Sequence, residues 1–160
     1  MPRFSIVKST IYREINKKFP KEINSLNEWN FESPYTKTKT NEDFFIYKSN
    51  KIAIFQSGIQ AKLMIDNSSY IIIDGTFYSE PIDVCQIIVS RVSLENHHKY
   101  FTKSYALALD KKEDTYKEIL NKINKNIKVY ALKINLKVNY KPKFIHCDME
   151  LALINAIKFI

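Results

Sequence analysis

Apolar residues recur along the first part of the chain with a spacing that favours helices. They return at every fourth position within residues 6–19, which predicts an amphipathic helix that ends at Pro20. Residues 25–29 are predicted as a second, shorter helix. Residues 32–43 contain turn-forming side chains and no apolar period, so this stretch is predicted as a connecting loop.

A pattern typical of strands follows. Residues 44–47 and 52–55 are predicted as two strands, joined into a hairpin by the polar residues 48–51. Residues 58–65 are predicted as a short helix. Its apolar face is expected to consist of Ile59, Leu63 and Met64.

Three longer apolar runs occupy the middle of the chain, over residues 70–78, 84–92 and 100–109. Only a few polar residues separate one run from the next. Connections this short join antiparallel neighbours, so the three runs are predicted to form an antiparallel meander.

The last third of the chain alternates between helix and strand patterns. Asp110 and Glu113 have the spacing of a capping box and predict the start of a helix. Its apolar face is formed by Tyr116, Ile119, Leu120, Ile123 and Ile127. Residues 125–141 fit either a continuation of that helix or a strand. Residues 143–148 are predicted as a strand, and residues 149–160, apolar on most sides, as a buried helix.

The order of these elements predicts an α/β fold with a mixed sheet. Three antiparallel strands, a helix, a strand and a final helix allow the last strand to lie parallel beside the first of the three. Residues 67–160 are therefore expected to form a partial α/β domain, and residues 1–66 a helical and hairpin lead-in. The chain ends at Ile160 inside an apolar pattern, so we expect the domain to be incomplete at its C-terminus.

Composition limits the classes of function. The 160 residues are 45% hydrophobic and 26% charged, as expected of a globular domain. The two glycines, Gly58 and Gly75, stand too far apart for a glycine-rich phosphate-binding motif, which excludes a nucleotide cofactor of that type. No apolar stretch is long enough for a membrane span and no signal peptide is visible, so we expect a soluble, intracellular protein, nuclear or cytoplasmic, without a membrane partner. Cys85 and Cys147 are expected to be reduced thiols.

The net charge of +8 is unevenly distributed. Residues 1–66 carry +4 and residues 111–143 carry +7, whereas residues 67–110 and 144–160 carry −2 and −1. Lysines in the segment 111–143 would bind a phosphate backbone in a salt-dependent way, or they would simply form a solvated helix face. The sequence leaves both interpretations open.

Two aspartates stand at the ends of apolar strands. Asp74 follows three isoleucines, and Asp148 ends the strand predicted over residues 143–148. A carboxylate among apolar neighbours requires a partner or a cation, because burial disfavours its charged form. If the two strands are neighbours, the carboxylates converge at one sheet edge and suit Mg²⁺ or Mn²⁺, which prefer oxygen ligands. Two such ions about 4 Å apart support phosphodiester attack, the chemistry of nucleases and strand transfer.

Each aspartate also has a plainer interpretation. Asp74 with Gly75 is a strong turn signal. Asp148 could cap the final helix, with Glu150 adding negative charge near its N-terminus. The other acids near the two aspartates in the sequence are Glu150, Glu80 and Asp83.

The remaining chemistry-bearing side chains have weaker signals. His97 and His98 are expected in an exposed loop, and His146 is expected to be half-buried in its strand. Cys147 is expected to be a packing residue, because no base that would activate its thiol can be identified.

Three blocks of the sequence, in order, resemble the transposase domain of Mutator-like elements (MULE). The first is Asp74-Gly75-Thr76-Phe77, followed by Pro81 and by Gln86 in the next strand. The second covers residues 105–120, which are YALALDKKEDTYKEIL. The third covers residues 144–156, which are FIHCDMELALINA.

The resemblance implies a ribonuclease H-like fold with an Asp-Asp-Glu triad that binds divalent metal ions and cuts and rejoins DNA at transposon ends. Asp74 matches the first acidic ligand and Asp148 the second. The third, a Glu on a later helix, has no counterpart before Ile160, so we expect a catalytically incomplete fragment, with Mg²⁺ or Mn²⁺ as its metal and DNA as its partner. Two alternatives stand beside this one: a non-catalytic, transposon-derived protein that binds DNA through its lysines, and an unrelated basic α/β domain.

Overall fold

The computed structural model describes Arg13, Leu26 and residues 34–67, 69–76, 84–94, 99–137 and 142–159. These residues form an α/β fold with six strands and three α-helices, after a short 3₁₀ turn at Pro34–Thr36. The strands are β1 (Phe45–Lys48), β2 (Ile52–Phe55), β3 (Tyr70–Thr76), β4 (Gln86–Leu94), β5 (Lys99–Ala108) and β6 (Phe144–Cys147). The helices are α1 (Gly58–Asp66), α2 (Glu113–Lys133) and α3 (Leu151–Lys158). Of the helices predicted over residues 6–19 and 25–29, the structure describes one residue each: Arg13, which is α-helical, and Leu26, which lies in a 3₁₀ turn.

The six strands form one mixed sheet in the order β1-β2-β5-β4-β3-β6. Strands β3, β4 and β5 are the predicted antiparallel meander, and β6 pairs in parallel with β3, as the order of elements predicted. The sheet is larger than predicted, because the β1–β2 hairpin joins it through antiparallel pairing of β2 with β5. The hairpin of the predicted lead-in therefore belongs to the same sheet as the meander.

All three helices contribute to a core on one face of the sheet. Successive side chains of a strand point to opposite faces, and Ile71 and Ile73 of β3 are buried on the helix side. Ile119, Ile123 and Ile127 of α2 belong to the same cluster, which confirms the apolar face predicted for this helix. The other two helices contribute Ala61, Met64, Leu153 and Ala156.

A second, smaller cluster lies on the other face of the sheet, near the hairpin. It contains Leu26, Ala53, Phe55, Val84 and Leu107. Ala53 and Phe55 alternate along β2 with Ile52 and Ile54, which belong to the helix-side core. Strand β2 is therefore buried on both faces. Strands buried in this way are apolar throughout, as β2 is.

The capping box predicted for the start of α2, with Asp110 as the N-cap and Glu113 as its partner, was wrong. Its N-cap is Lys112, whose side chain makes no cap hydrogen bond. The carboxylate of Asp110 instead accepts hydrogen bonds from the backbone N–H of Lys112 at 3.1 Å and from the hydroxyl of Thr115 at 2.5 Å. Asp110 thus supports the first turn from outside the helix. The helix extends to Lys133, so helix continuation is the correct choice for residues 125–133.

The orientation of α1 also differs from the prediction. Ile59 was expected on its apolar face, but this side chain is 62% exposed, and the buried residues of α1 are Ala61 and Met64. Gln60 donates a hydrogen bond to the carbonyl oxygen of Thr102 on β5 at 3.2 Å. This bond and the burial of Ala61 and Met64 go with a helix rotation that leaves Ile59 on the outer side.

Helix α3 was predicted to be buried, and this was wrong for its outer side. Leu151 is 70% exposed, whereas Leu153 and Ala156 are buried.

No helix in the described part of the chain is long and apolar enough to cross a membrane.

Candidate functional site

The parallel pairing of β3 with β6 determines where the two predicted metal ligands lie. Ile73 of β3 is paired with Cys147 of β6. The register ends at this pair, and Asp74 and Asp148 are the next residues along the chain, so the two aspartates lie at the same end of neighbouring strands. Neighbouring strands lie about 4.8 Å apart. The main chain therefore leaves both strands for the two aspartates from paired positions, as expected if their strands are neighbours.

Asp74 lies within β3, opposite Val89 of β4, and the strand continues past it. The turn interpretation of Asp74 and Gly75 is therefore wrong. Its side chain is exposed, whereas that of Ile73 is buried, because the two point to opposite faces of the sheet. The expectation that apolar neighbours would enclose this carboxylate was also wrong, since those neighbours face the helices and Asp74 does not.

Asp148 directly follows β6 and is also exposed. Its Oδ1 accepts a hydrogen bond from the backbone N–H of Met149 at 2.6 Å, which holds the carboxylate close to the main chain. The N-cap of α3 is Glu150, so the helix-cap interpretation of Asp148 is wrong. Burial, together with the negative charge of Asp148, raises the pKa of the Cys147 thiol. Cys147 packs against the core and, like Cys85, is a free thiol, as predicted.

Glu150, the nearest candidate for a third acid, has a different partner. Its Oε1 accepts a hydrogen bond from the phenol of Tyr116 at 2.9 Å, and the phenol oxygen accepts one from Nε2 of Gln86 at 2.6 Å. Burial, supported by the bond to Glu150, raises the pKa of Tyr116, so its hydroxyl remains a donor. The other two candidates for a third acid, Glu80 and Asp83, lie outside the described residues, and so do the two histidines predicted in an exposed loop, His97 and His98.

The aspartate pair could provide a metal ion with ligands of a single type. Asp74 and Asp148 offer carboxylate oxygens, the ligand type that Mg²⁺ and Mn²⁺ prefer. Within the described ranges, no group of three or more His, Cys, Asp or Glu side chains could hold a metal ion. Within these ranges the pair therefore offers at most two protein carboxylates, and a hard divalent cation bound there would keep several of its water ligands.

A row of rings lies beside the aspartate pair. Tyr70 of β3 and Phe144 of β6 are paired in the sheet, and their ring centroids are 6.0 Å apart. The Tyr70 hydroxyl contacts Nε2 of His146, and the centroids of these two rings are 4.8 Å apart. His146 is exposed, so the expectation that it is half-buried was wrong. Sequence reasoning missed this row, although Tyr70 and Asp74 are separated by an even number of positions and therefore share a face.

The lysines of α2 divide into those with partners inside the molecule and those that face solvent. Lys117 forms an ion pair with Glu113 at 2.6 Å, and Nζ of Lys122 lies 3.8 Å from the ring centroid of Tyr47. The exposed lysines of the helix are Lys125, Lys128 and Lys133. A solvated face and a surface for a polyanion both fit this arrangement.

No family model matches the chain, and neither a curated protein nor a solved structure matches it at a significant level. The structure establishes an α/β fold with a six-stranded mixed sheet. A functional assignment for this chain therefore depends on its own residues and their arrangement.

Proposed function

We propose that the chain contributes part of the metal site of a MULE-like, DDE-type transposase domain, with Asp74 and Asp148 as its first two acidic ligands. The observation that supports this proposal is the parallel register of β3 and β6, whose last pair, Ile73 and Cys147, directly precedes the two aspartates. A divalent cation bound by both carboxylates would be held by two negative charges. The same two residues occupy the matching positions in the sequence blocks that resemble the family.

The strand order supports the same proposal. The β5-β4-β3 meander, followed by α2 and by β6 parallel to β3, has the order expected of a ribonuclease H-like sheet. In open α/β sheets, ligands bind near the carboxyl ends of the strands. Asp148 follows that end of β6, and Asp74 lies near that end of β3.

The chain's own residues would bind and position the reacting groups. Bound divalent ions would supply the Lewis acidity that activates a water or a 3′-hydroxyl for attack on a phosphodiester. Asp74 is held by its pairing with Val89, and Asp148 by its hydrogen bond from Met149. The exposed lysines of α2 would contact the DNA backbone, in which case DNA affinity falls as the salt concentration rises.

The metal site is tested by titrating the ¹⁵N-labelled chain with Mn²⁺ and recording the paramagnetic broadening of backbone amide signals. We expect broadening centred on residues 73–76 and 147–149, and competition by Mg²⁺. The double variant Asp74→Asn/Asp148→Asn should lose this broadening, whereas Asp114→Asn, which changes an exposed acid at the start of α2, should keep it. Broadening that persists in the double variant or is centred elsewhere would refute the two-carboxylate site.

Catalysis is tested separately, with supercoiled plasmid DNA and Mn²⁺. Because the described residues supply two acidic ligands rather than three, we expect the chain to nick no more DNA than Asp74→Asn/Asp148→Asn does. Robust nicking by the unaltered chain that this double variant abolishes would contradict the incomplete site and place a third ligand elsewhere in the chain.

DNA binding without catalysis is the second candidate function, favoured because Glu150 is engaged by Tyr116 rather than by the aspartate pair. It predicts duplex binding that survives Asp74→Asn/Asp148→Asn and weakens in Lys125→Glu/Lys133→Glu. Fluorescence anisotropy of a labelled duplex, measured at several salt concentrations, checks both outcomes. Binding that is insensitive to salt and to the two lysines would remove this candidate.

A further inference from the structure

A cavity of about 430 Å³ lies between the helix side of the sheet and helices α2 and α3. Its inner walls are apolar. They are formed by Met64, Ile71, Ile73, Ile123, Ile145 and Ile157. Small-molecule sites of roughly this size are mostly apolar, with a few polar groups that orient the ligand. Asp74 points to the opposite face of the sheet, so this cavity is separate from the proposed metal site.

The opening of the cavity is positively charged. Leu120, Asn124 and Lys128 follow one another at four-residue intervals, so they line the cavity from one stripe of α2. Lys143 lines it from the segment before β6, and its backbone N–H donates to the carbonyl oxygen of Ser69 at 3.1 Å. Lys128 and Lys143 are exposed, so they mark the side that is open to solvent. None of the described residues that line the cavity is acidic.

The inner wall has little capacity for polar groups. Among the described lining residues, Ser90 provides the buried hydroxyl, and this hydroxyl shares a hydrogen bond with that of Ser104. Each hydroxyl has one proton, so one of the two protons remains free to donate. A full charge would be strongly disfavoured there. The charged end of a ligand therefore belongs at the lysines.

We propose that this cavity binds a small amphipathic anion, namely a medium-chain carboxylate of the fatty-acid type. Its carboxylate would lie near Lys128 and Lys143, and its hydrocarbon chain would enter between the isoleucines. The apolar walls remove the chain from water, and the two lysines attract the carboxylate. This site depends neither on the aspartate pair nor on DNA.

The test uses sodium decanoate as the probe and isoleucine methyl groups as reporters, because five isoleucines line the cavity. In ¹³C-methyl spectra, the signals of these isoleucines should shift and saturate during the titration. The methyl signal of Ile52, which is buried on β2 away from the cavity, should not shift. Decanol has the same hydrocarbon chain without the charge, and it should bind at least about fivefold more weakly.

Charge reversal at the opening tests the orientation of the ligand. Lys128→Glu/Lys143→Glu should weaken decanoate binding by at least about fivefold and leave decanol binding unchanged. The matched double variant Lys39→Glu/Lys112→Glu changes two exposed lysines that do not line the cavity, and it should bind decanoate normally. Leu120→Trp, which enlarges a side chain in the cavity wall, should weaken binding of both probes, and Leu120→Phe serves if that variant does not fold.

Four results would overturn the proposal. The first three are the absence of saturable shifts in the cavity methyl groups, equal affinity for decanoate and decanol, and an equal loss of decanoate binding in the two lysine double variants. The fourth is a larger loss in Ser90→Ala than in Lys128→Glu/Lys143→Glu, since it would place the carboxylate inside the cavity. The amide spectrum of each variant shows whether it is folded before binding is compared.

Discussion

Tyr116 on α2 donates a hydrogen bond to Glu150 at the start of α3, with 2.9 Å between Oη and Oε1. The same phenol oxygen accepts a hydrogen bond from Gln86 on β4 at 2.6 Å. One buried side chain therefore connects the sheet, the longest helix and the helix that follows β6. Because Glu150 comes two positions after Asp148, these bonds also fix the main chain next to the aspartate pair.

Tyr116→Phe should lower the free energy of unfolding by about 1–3 kcal/mol, because the buried amide of Gln86 loses the nearer of its two acceptors and Glu150 loses its donor, while the ring packing is kept. Urea denaturation at neutral pH measures the change. Tyr100→Phe alters an exposed tyrosine of β5, and it should change stability by less than about 0.5 kcal/mol. Equal stability of Tyr116→Phe and the unaltered chain would show that the phenol contributes packing alone.

Gly58 begins α1 directly beneath the ring of Tyr130 on α2. A Cβ atom at this position would lie 2.5 Å from Cε2 of Tyr130, so the ring would have to move. Gly58→Ala should therefore destabilise the chain by about 1–3 kcal/mol. In a Tyr130→Ala background the same substitution should cost little, since alanine favours helices more than glycine does. The double-mutant cycle is measured by urea denaturation, and an equal cost in both backgrounds would exclude the ring contact as the cause.

Lys103 on β5 is fully buried, and its Nζ has no hydrogen-bond partner in the part of the chain that the structure describes. Burial lowers its pKa from 10.5 to about 8, against a smaller opposite effect of the charge of Asp66. At pH 7 the folded chain therefore holds a buried charge at a cost. Lys103→Met should raise the free energy of unfolding at pH 7 by about 1–3 kcal/mol.

This gain from Lys103→Met should shrink as the pH rises from about 8 to 10.5. Over that interval the unfolded chain still binds the proton and the folded chain does not, so the stability of the unaltered chain rises relative to the variant. Urea denaturation at pH 7 and at pH 10 measures the difference. Lys39→Met, which changes an exposed lysine, is the control and should show neither effect. A gain that is the same at both pH values would contradict the assigned cause.

Asp110→Ala should reduce stability at pH 7 by about 1 kcal/mol, as the loss of other side-chain bonds to a helix start does. Burial raises the pKa of Asp110, but hydrogen bonds from Thr115 and from the Lys112 N–H outweigh this, so its pKa lies below the usual value. A lowered pKa contributes stability above the unfolded value of about 3.9, and this contribution is lost as the pH falls. The difference between Asp110→Ala and the unaltered chain should therefore decrease towards pH 2, whereas Asp114→Ala should show little change at any pH.

The central strands and α2 could be predicted because each has a clear local pattern. The isoleucines before Asp74 define β3, and the spacing from Tyr116 to Ile127 defines the inner face of α2. The parallel placement of β6 followed from the order of elements, which permits few topologies. The pairing of β2 with β5 could not be predicted, because β2 is apolar on both faces and its pattern does not indicate which strand it pairs with.

The candidate site was predicted in its position but not in its surroundings. The position of Asp74 and Asp148 at the same end of neighbouring strands followed from the strand order, yet the exposure of Asp74 depends on which face of β3 the helices cover. The rotation of α1 depends on the bond from Gln60 to Thr102, two residues far apart in the sequence, so the exposure of Ile59 was not visible in a local apolar pattern. Contacts of this kind are formed only when the sheet and helices have assembled.

The pairing of β3 with the short edge strand β6 has a consequence for folding. Tyr70 and His146, which meet across this pairing, are 76 positions apart, so the contact closes a long loop at a cost in chain entropy. A slip of β6 by one residue would send each of its side chains to the opposite face and separate the two carboxylates. A cation that needs both carboxylates would stabilise the chain in the aligned register and no other. Metal binding would then favour the correctly paired register of β6 over registers that are shifted by one residue.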